Sequence, residues 1–169
     1  AIYRIAGKEC LKSYLLTPSS VKTILNLTAN DTVTYEAFIK GQAFASTEYT
    51  AHPEKYGATE HSLAYVRKTR ILKDDIVSFI LEHCHELDSL DIVVGNEELK
   101  KNIMDRIRNA TDEVYMTSSI SQLLEISYKD AGKKSGVKFL TEYLGLSREN
   151  VAAFGDADND TDMIEYAGT

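Results

Sequence analysis

Gly155-Asp156-Ala157-Asp158-Asn159-Asp160-Thr161-Asp162-Met163 crowds four carboxylates into one turn. The apolar run Val151-Ala152-Ala153-Phe154 before it reads as a buried strand, and Met163, Ile164, Tyr166 and Ala167 follow at helical spacing. Like charges this close repel one another, so the cluster makes physical sense with a cation among them. The carboxyl end of a strand is also where open α/β sheets hold their ligands. The turn is therefore a metal-site candidate. Magnesium suits it, because that ion takes few protein carboxylates and keeps water or phosphate oxygens as its other ligands.

Two rival readings explain less. A calcium loop accepts Asp156, Asp158 and Asp160, but Thr161 stands where it needs Gly and Ala167 where it needs a bidentate Glu. A solvated turn that caps the next helix needs one or two acidic residues, not four.

Upstream, Gly132-Lys133-Lys134-Ser135-Gly136 opens a helix read over 134–144, with Val137, Leu140 and Leu144 inward. A helix start offers free N–H groups and a positive dipole end, so a lysine there makes an anion site. It is not a Walker loop, since Lys133 occupies the position of the second Gly. A cation beside a lysine is what neutralises a transferring phosphoryl group.

The rest of the chain alternates strands and helices, which predicts an α/β fold. Segments 2–5 and 11–16 flank a turn at Ala6-Gly7-Lys8-Glu9. Thr17-Pro18 starts a helix with Val21, Ile24 and Leu25 on one face. Strands are predicted at 32–39, 42–46, 90–94, 114–117 and 123–127. Short helices broken near Pro53 and Gly57 fill 47–68, a helix capped by Asp74 follows, and another carries Leu99, Ile103, Met104 and Ile107. Boundaries are placed near Leu16 and Ser127. This gives a hairpin at 1–16, an inserted domain at 17–126 and a remainder at 127–169.

With 43% hydrophobic and 27% charged residues, the chain is a soluble globular sequence rather than a disordered one. Its net charge of −7 and scattered basic residues argue against a nucleic-acid surface. No apolar run approaches the length of a membrane helix. Cys10 and Cys84 have no metal-binding or disulfide spacing and read as reduced thiols, so a cytoplasmic location is expected. His83-Cys84-His85 looks like a ligand set, but consecutive helical residues point in different directions. Tyr35, Phe38 and Phe44 read as sheet packing rather than as stacking surfaces for a substrate.

From Leu124-Glu125-Ile126 to Ala167-Gly168, the lysine segment and the acidic turn resemble the third and fourth motifs of the haloacid dehalogenase superfamily. Its Cof-like phosphatases, which carry a large inserted cap, are the most similar. The resemblance implies a mixed α/β cap domain joined to part of a Rossmann-like catalytic core. It also implies a magnesium-dependent phosphatase of small phosphorylated metabolites such as sugar phosphates, working through a phospho-aspartate. By position, Lys134 would be the catalytic and phosphate-binding lysine, Asn159 would contact a phosphate oxygen, and Asp156 and Asp160 would serve the metal. Asp158 and Asp162 fall at variable positions. Within the cap, Glu36, Tyr49, His52 and His61 are unranked candidates for substrate contact.

The family's first motif, a nucleophilic Asp with a second Asp two residues on and then Gly-Thr, has no counterpart here. The chain is therefore expected to be a fragment, inactive alone and open to self-association, whose nucleophile lies upstream of Ala1. The alternative is a non-catalytic module that binds a ligand or partner.

Overall fold

The computed structural model describes residues 1–169 apart from Lys8 and Thr59 and the side chains of Glu60, His61, Ser62 and Asp158. The architecture is α/β, as the alternation of elements predicts. The opening hairpin pairs β1 (Ile2–Arg4) with β2 (Glu9–Lys12) as a small separate sheet. Helix α1 (Pro18–Thr28) starts where Thr17 Oγ1 accepts from the Ser20 N–H, with Pro18 at its first position. The apolar stripe of α1, with Val21, Ile24 and Leu25, is buried.

Strands β3 (Thr34–Ile39) and β4 (Gln42–Ser46) form the expected hairpin. Helices α2 (Thr47–Ala51) and α3 (Glu60–Thr69), separated by a short turn at Pro53–Tyr56, lead into β5 (Arg70–Lys73). Then follow α4 (Ile76–Glu82), capped by Asp75 rather than Asp74, β6 (Ser89–Val93), α5 (Glu97–Ala110), β7 (Val114–Thr117) and β8 (Leu123–Tyr128). Among the described residues six of these strands make one sheet in the order β5-β4-β3-β6-β8-β7. All its neighbours are antiparallel except β4 and β5.

Strand alternation gives the sheet two unlike faces. Tyr35, Ala37, Ile39, Leu90, Ile92, Leu124 and Ile126 face α1, α4 and α5 in the main core. On the other face, Ala45 and Val93 pack under Tyr49, Tyr56, Leu63 and Val66 of the α2–α3 segment. The rest of that second face carries mostly polar residues, with Phe38 among them, and looks toward the C-terminal segment.

That segment holds α6 (Lys133–Tyr143) and α7 (Thr161–Tyr166). The strand expected at 151–154 does not form. A strand needs a ladder partner, and the backbone bonds here are Ala153 N–H to the Thr169 carbonyl (3.1 Å) and those of Gly168 and Thr169 to the Val151 carbonyl (3.1 and 3.3 Å). Phe154 is 88% exposed instead of buried. Strand β5 was not foreseen. Its two apolar residues, Ile71 and Leu72, are 43% and 42% exposed, so a short edge strand left no hydrophobic pattern to read.

Candidate functional site

The acidic turn is organised by Asp160. It is only 7% exposed, and its carboxylate folds back over the turn. Oδ2 accepts from the N–H groups of Asp156 and Ala157, each at 3.3 Å. Oδ1 accepts from the Lys133 ammonium at 2.5 Å. That contact first, and then the two backbone donors, hold the Asp160 carboxyl below the ordinary carboxylate range. Gly155 makes the fold-back possible: a Cβ there would lie 2.2 Å from Cβ of Asp160.

Lys133 also donates to Asn159 Oδ1 at 3.2 Å. The structure thus brings Lys133 to the turn, where Lys134 was expected. The helix begins one residue earlier than expected, with Gly132 as its N-cap. Adjacent helical residues point in different directions, so only one of the two lysines can meet the turn. Lys134 has an exposed side chain and uses its backbone N–H to donate to Asp162 Oδ2, at 3.4 Å. Asp162 thereby acts on the start of α6, and its other oxygen is buried with no partner.

Asp156 is exposed, and its carboxylate has no partner among the described residues. No group of three His, Cys, Asp or Glu is gathered for a metal ion among those residues. Magnesium does not require one, since one or two carboxylates with water and substrate oxygens are enough. The open Asp156 carboxylate with the pinned Asp160 behind it fits such an ion. Asp158 lies outside the described side chains, as does His61.

Lys133 and Asn159 form one side of a cavity of about 300 Å³ whose other side is the polar face of the sheet. Strand register sets a row of carboxylates on that face. Glu36 stands directly opposite Asp91, and Asp91 directly opposite Glu125. Glu36 is buried and paired with Arg70, whose Nη2 and Nε lie 2.6 and 2.7 Å from Oε2. Glu125 accepts from the hydroxyls of Thr117 and Ser119, both at 2.9 Å. Asp91 is 6% exposed, lines the cavity and receives no hydrogen bond from any described residue. Burial, then Glu125 and Glu36, push its carboxyl well above the ordinary range. Burial also raises Glu36, against the opposing pull of Arg70.

Sequence reasoning had singled out Glu36 but missed Asp91, Glu125 and Arg70. One signal was present: a lone acid inside the apolar run Leu90-Asp91-Ile92-Val93 breaks the local pattern without a local reason. Phe38, read as packing, lines the cavity under the Arg70 guanidinium, 5.3 Å from its ring centre. Tyr49 is buried edge-on against Tyr56, and burial pushes its hydroxyl up to about 12. The His52 ring meets Glu54, at 3.5 Å, and His83 and His85 both meet Glu86. A larger hollow of about 670 Å³, beside Gly57 and Gly95, holds none of the residues gathered at the acidic turn.

A family model described as haloacid dehalogenase-like hydrolase matches residues 1–169. Over 46 residues the chain is 41% identical to a 5-amino-6-(5-phospho-D-ribitylamino)uracil phosphatase of Bacillus subtilis, covering 27% of this chain and 17% of that protein. Over 55 residues it is 40% identical to phosphoglycolate phosphatase 1 of Saccharolobus solfataricus, covering 32% and 24%. A solved sugar phosphatase of subclass IIB superposes with a TM-score of 0.72 at 13% identity, over 98% of this chain and 58% of that one. At that identity the likeness shows the fold, and the chain spans little more than half of that structure.

Proposed function

The chain belongs to the haloacid dehalogenase-like hydrolase family, and from that premise we propose that it supplies the cap and the lysine-and-acidic-turn part of a magnesium-dependent phosphatase. Residues 17–126 are read as the cap, 1–16 as the hairpin leading into it and 127–169 as part of the core. The observation that carries this reading is the Lys133 ammonium shared between Asp160 and Asn159 at the cavity wall.

Each residue then has a stated task. Lys133, held in place by Asp160, binds the substrate phosphate and offsets its charge. Asn159 directs its side-chain amide at a phosphate oxygen. Asp156 offers the open carboxylate for magnesium, which when bound supplies further neutralisation of the phosphoryl oxygens. The sheet face opposite encloses the leaving group and limits water. By family likeness, the phosphoryl group passes to an aspartate and then to water, and none of the aspartates described above is assigned that step. The substrates are small phosphate monoesters such as sugar phosphates, a reading favoured by the named phosphatases and by the small size of the cavity, about 300 Å³. The free thiols of Cys10 and Cys84 accord with the cytoplasm, and no helix among the described residues is long and apolar enough to cross a membrane.

The test is phosphate release by the full-length protein from sugar phosphates, with magnesium and after chelation. Turnover should require the metal, and Lys133→Ala should lower kcat by about 10²–10³-fold, as loss of one preorganised charge-stabilising donor does. Absence of phosphate release, or near-normal turnover in Lys133→Ala, would refute the assignment.

A further inference from the structure

The carboxylate row on the sheet is an unusual thing to find in the wall of a phosphate site, since directly opposed like charges destabilise a sheet. Two of its members are answered within the protein, Glu36 by Arg70 and Glu125 by the Thr117 and Ser119 hydroxyls. Asp91 receives no hydrogen bond from any described residue, although it is more than nine-tenths buried. It lines the same cavity as Lys133 and Asn159. Its carboxylate opens onto that cavity, so a ligand there can supply the donors that the described residues do not.

We propose that Asp91, flanked by Glu125 and Glu36, is the subsite for a protonated amine on the leaving group, so that the substrate is the phosphate monoester of an amino alcohol or amino sugar. This rests on the phosphatase reading above, which places the phosphate at Lys133 and the leaving group over the sheet. An ammonium group fits the site in two ways. It brings several N–H donors to a carboxylate that has none. It also brings a positive charge midway along a row in which, among the described residues, Arg70 is the cation paired to a carboxylate of the row. A hydroxyl meets only the first need, because it adds a donor and no charge. Burial and the two flanking carboxylates raise the Asp91 carboxyl, and a bound ammonium acts in the opposite direction. The cavity volume of about 300 Å³ is at the small end of ligand sites, which suits a compact ester.

The experiment uses the full-length protein and matched esters that differ by one amine against one hydroxyl: glucosamine 6-phosphate with glucose 6-phosphate, and ethanolamine phosphate with ethylene glycol phosphate. Calorimetry at neutral pH gives Kd for each, and phosphate release is followed separately. At least one amine ester should bind about tenfold tighter than its hydroxyl partner, the scale of a charge-assisted hydrogen bond. Asp91→Asn, checked for folding by its melting curve, should bring that ratio close to one. Equal Kd values in every pair, or binding of no ester, overturns the subsite, and so does a ratio that survives in Asp91→Asn. Turnover reads the other claim independently. Hydrolysis of both members with equal Kd keeps the phosphatase and removes the amine subsite. Preferential amine binding without hydrolysis keeps the subsite and removes the phosphatase.

Discussion

Replacing Asp91 by Asn keeps the shape of the side chain and removes its charge, and the chain should become more stable for it. Asp91 stands directly opposite Glu36 on one strand and Glu125 on the other. Opposed like charges cost about 0.2–1 kcal/mol per pair, so two pairs set the relief at about 0.4–2 kcal/mol. The effect has a sign in pH. Burial, Glu125 and Glu36 raise the folded-state pKa of Asp91. A group raised in this way favours folding while protonated; that contribution is complete below the unfolded value of about 3.9 and is lost as pH rises through the folded value. The wild type and Asp91→Asn should therefore melt together in acid and separate as pH rises, with the variant higher. For a chain of this length 1 kcal/mol is worth about 2–4 °C, so a gain of about 1–8 °C is expected at the alkaline end. Circular dichroism melts across a pH series read it directly. A variant less stable than wild type throughout, or an offset that does not change with pH, refutes the claim that Asp91 bears net repulsion from its like-charged neighbours.

The two lysines should part company in turnover: Lys134→Ala should lose far less than the roughly 10²–10³-fold expected of Lys133→Ala, and equal losses would dissolve the geometric distinction between them. Gly155→Ala should cost about 1–3 kcal/mol by overpacking against Asp160, whereas Gly136→Ala, where a Cβ meets nothing within 4 Å, should gain about 0.5–1 kcal/mol as helix propensity dictates. Urea denaturation separates the two, and a tolerated Gly155→Ala counts against the Asp160 fold-back. Arg70→Met should cost about 3–5 kcal/mol because it strands the buried Glu36 charge. Adding Glu36→Gln should recover most of that loss, and an additive double mutant would show that the ion pair is not the cause.

Much of the fold was legible because it is written in periodicity. The buried stripe of α1, the face of α5 with Ile103 and Ile107, and the β3–β4 hairpin all follow from the spacing of apolar residues. The crowding of the acidic turn was equally legible, since four carboxylates beside a Gly need no tertiary information to be noticed. The failures share a cause. Strand β5 carries no pattern, because an edge strand buries little. The run at 151–154 carries a strand pattern but has no ladder partner among the described residues. Gly132 as N-cap shifts the start of α6 by one residue, enough to exchange Lys133 for Lys134.

By itself, then, the sequence determined the kind of chemistry this chain can hold: a carboxylate turn, a lysine at a helix start, and an α/β alternation to carry them. These are local properties, set by residue type and short-range spacing. Which lysine reaches Asp160, and that Asp91 lies between Glu36 and Glu125 in the wall of the same cavity, were decided only by tertiary structure. Helix phase and cross-strand register bring together residues dozens of positions apart, and a slip of one residue in either would point different side chains into the cavity.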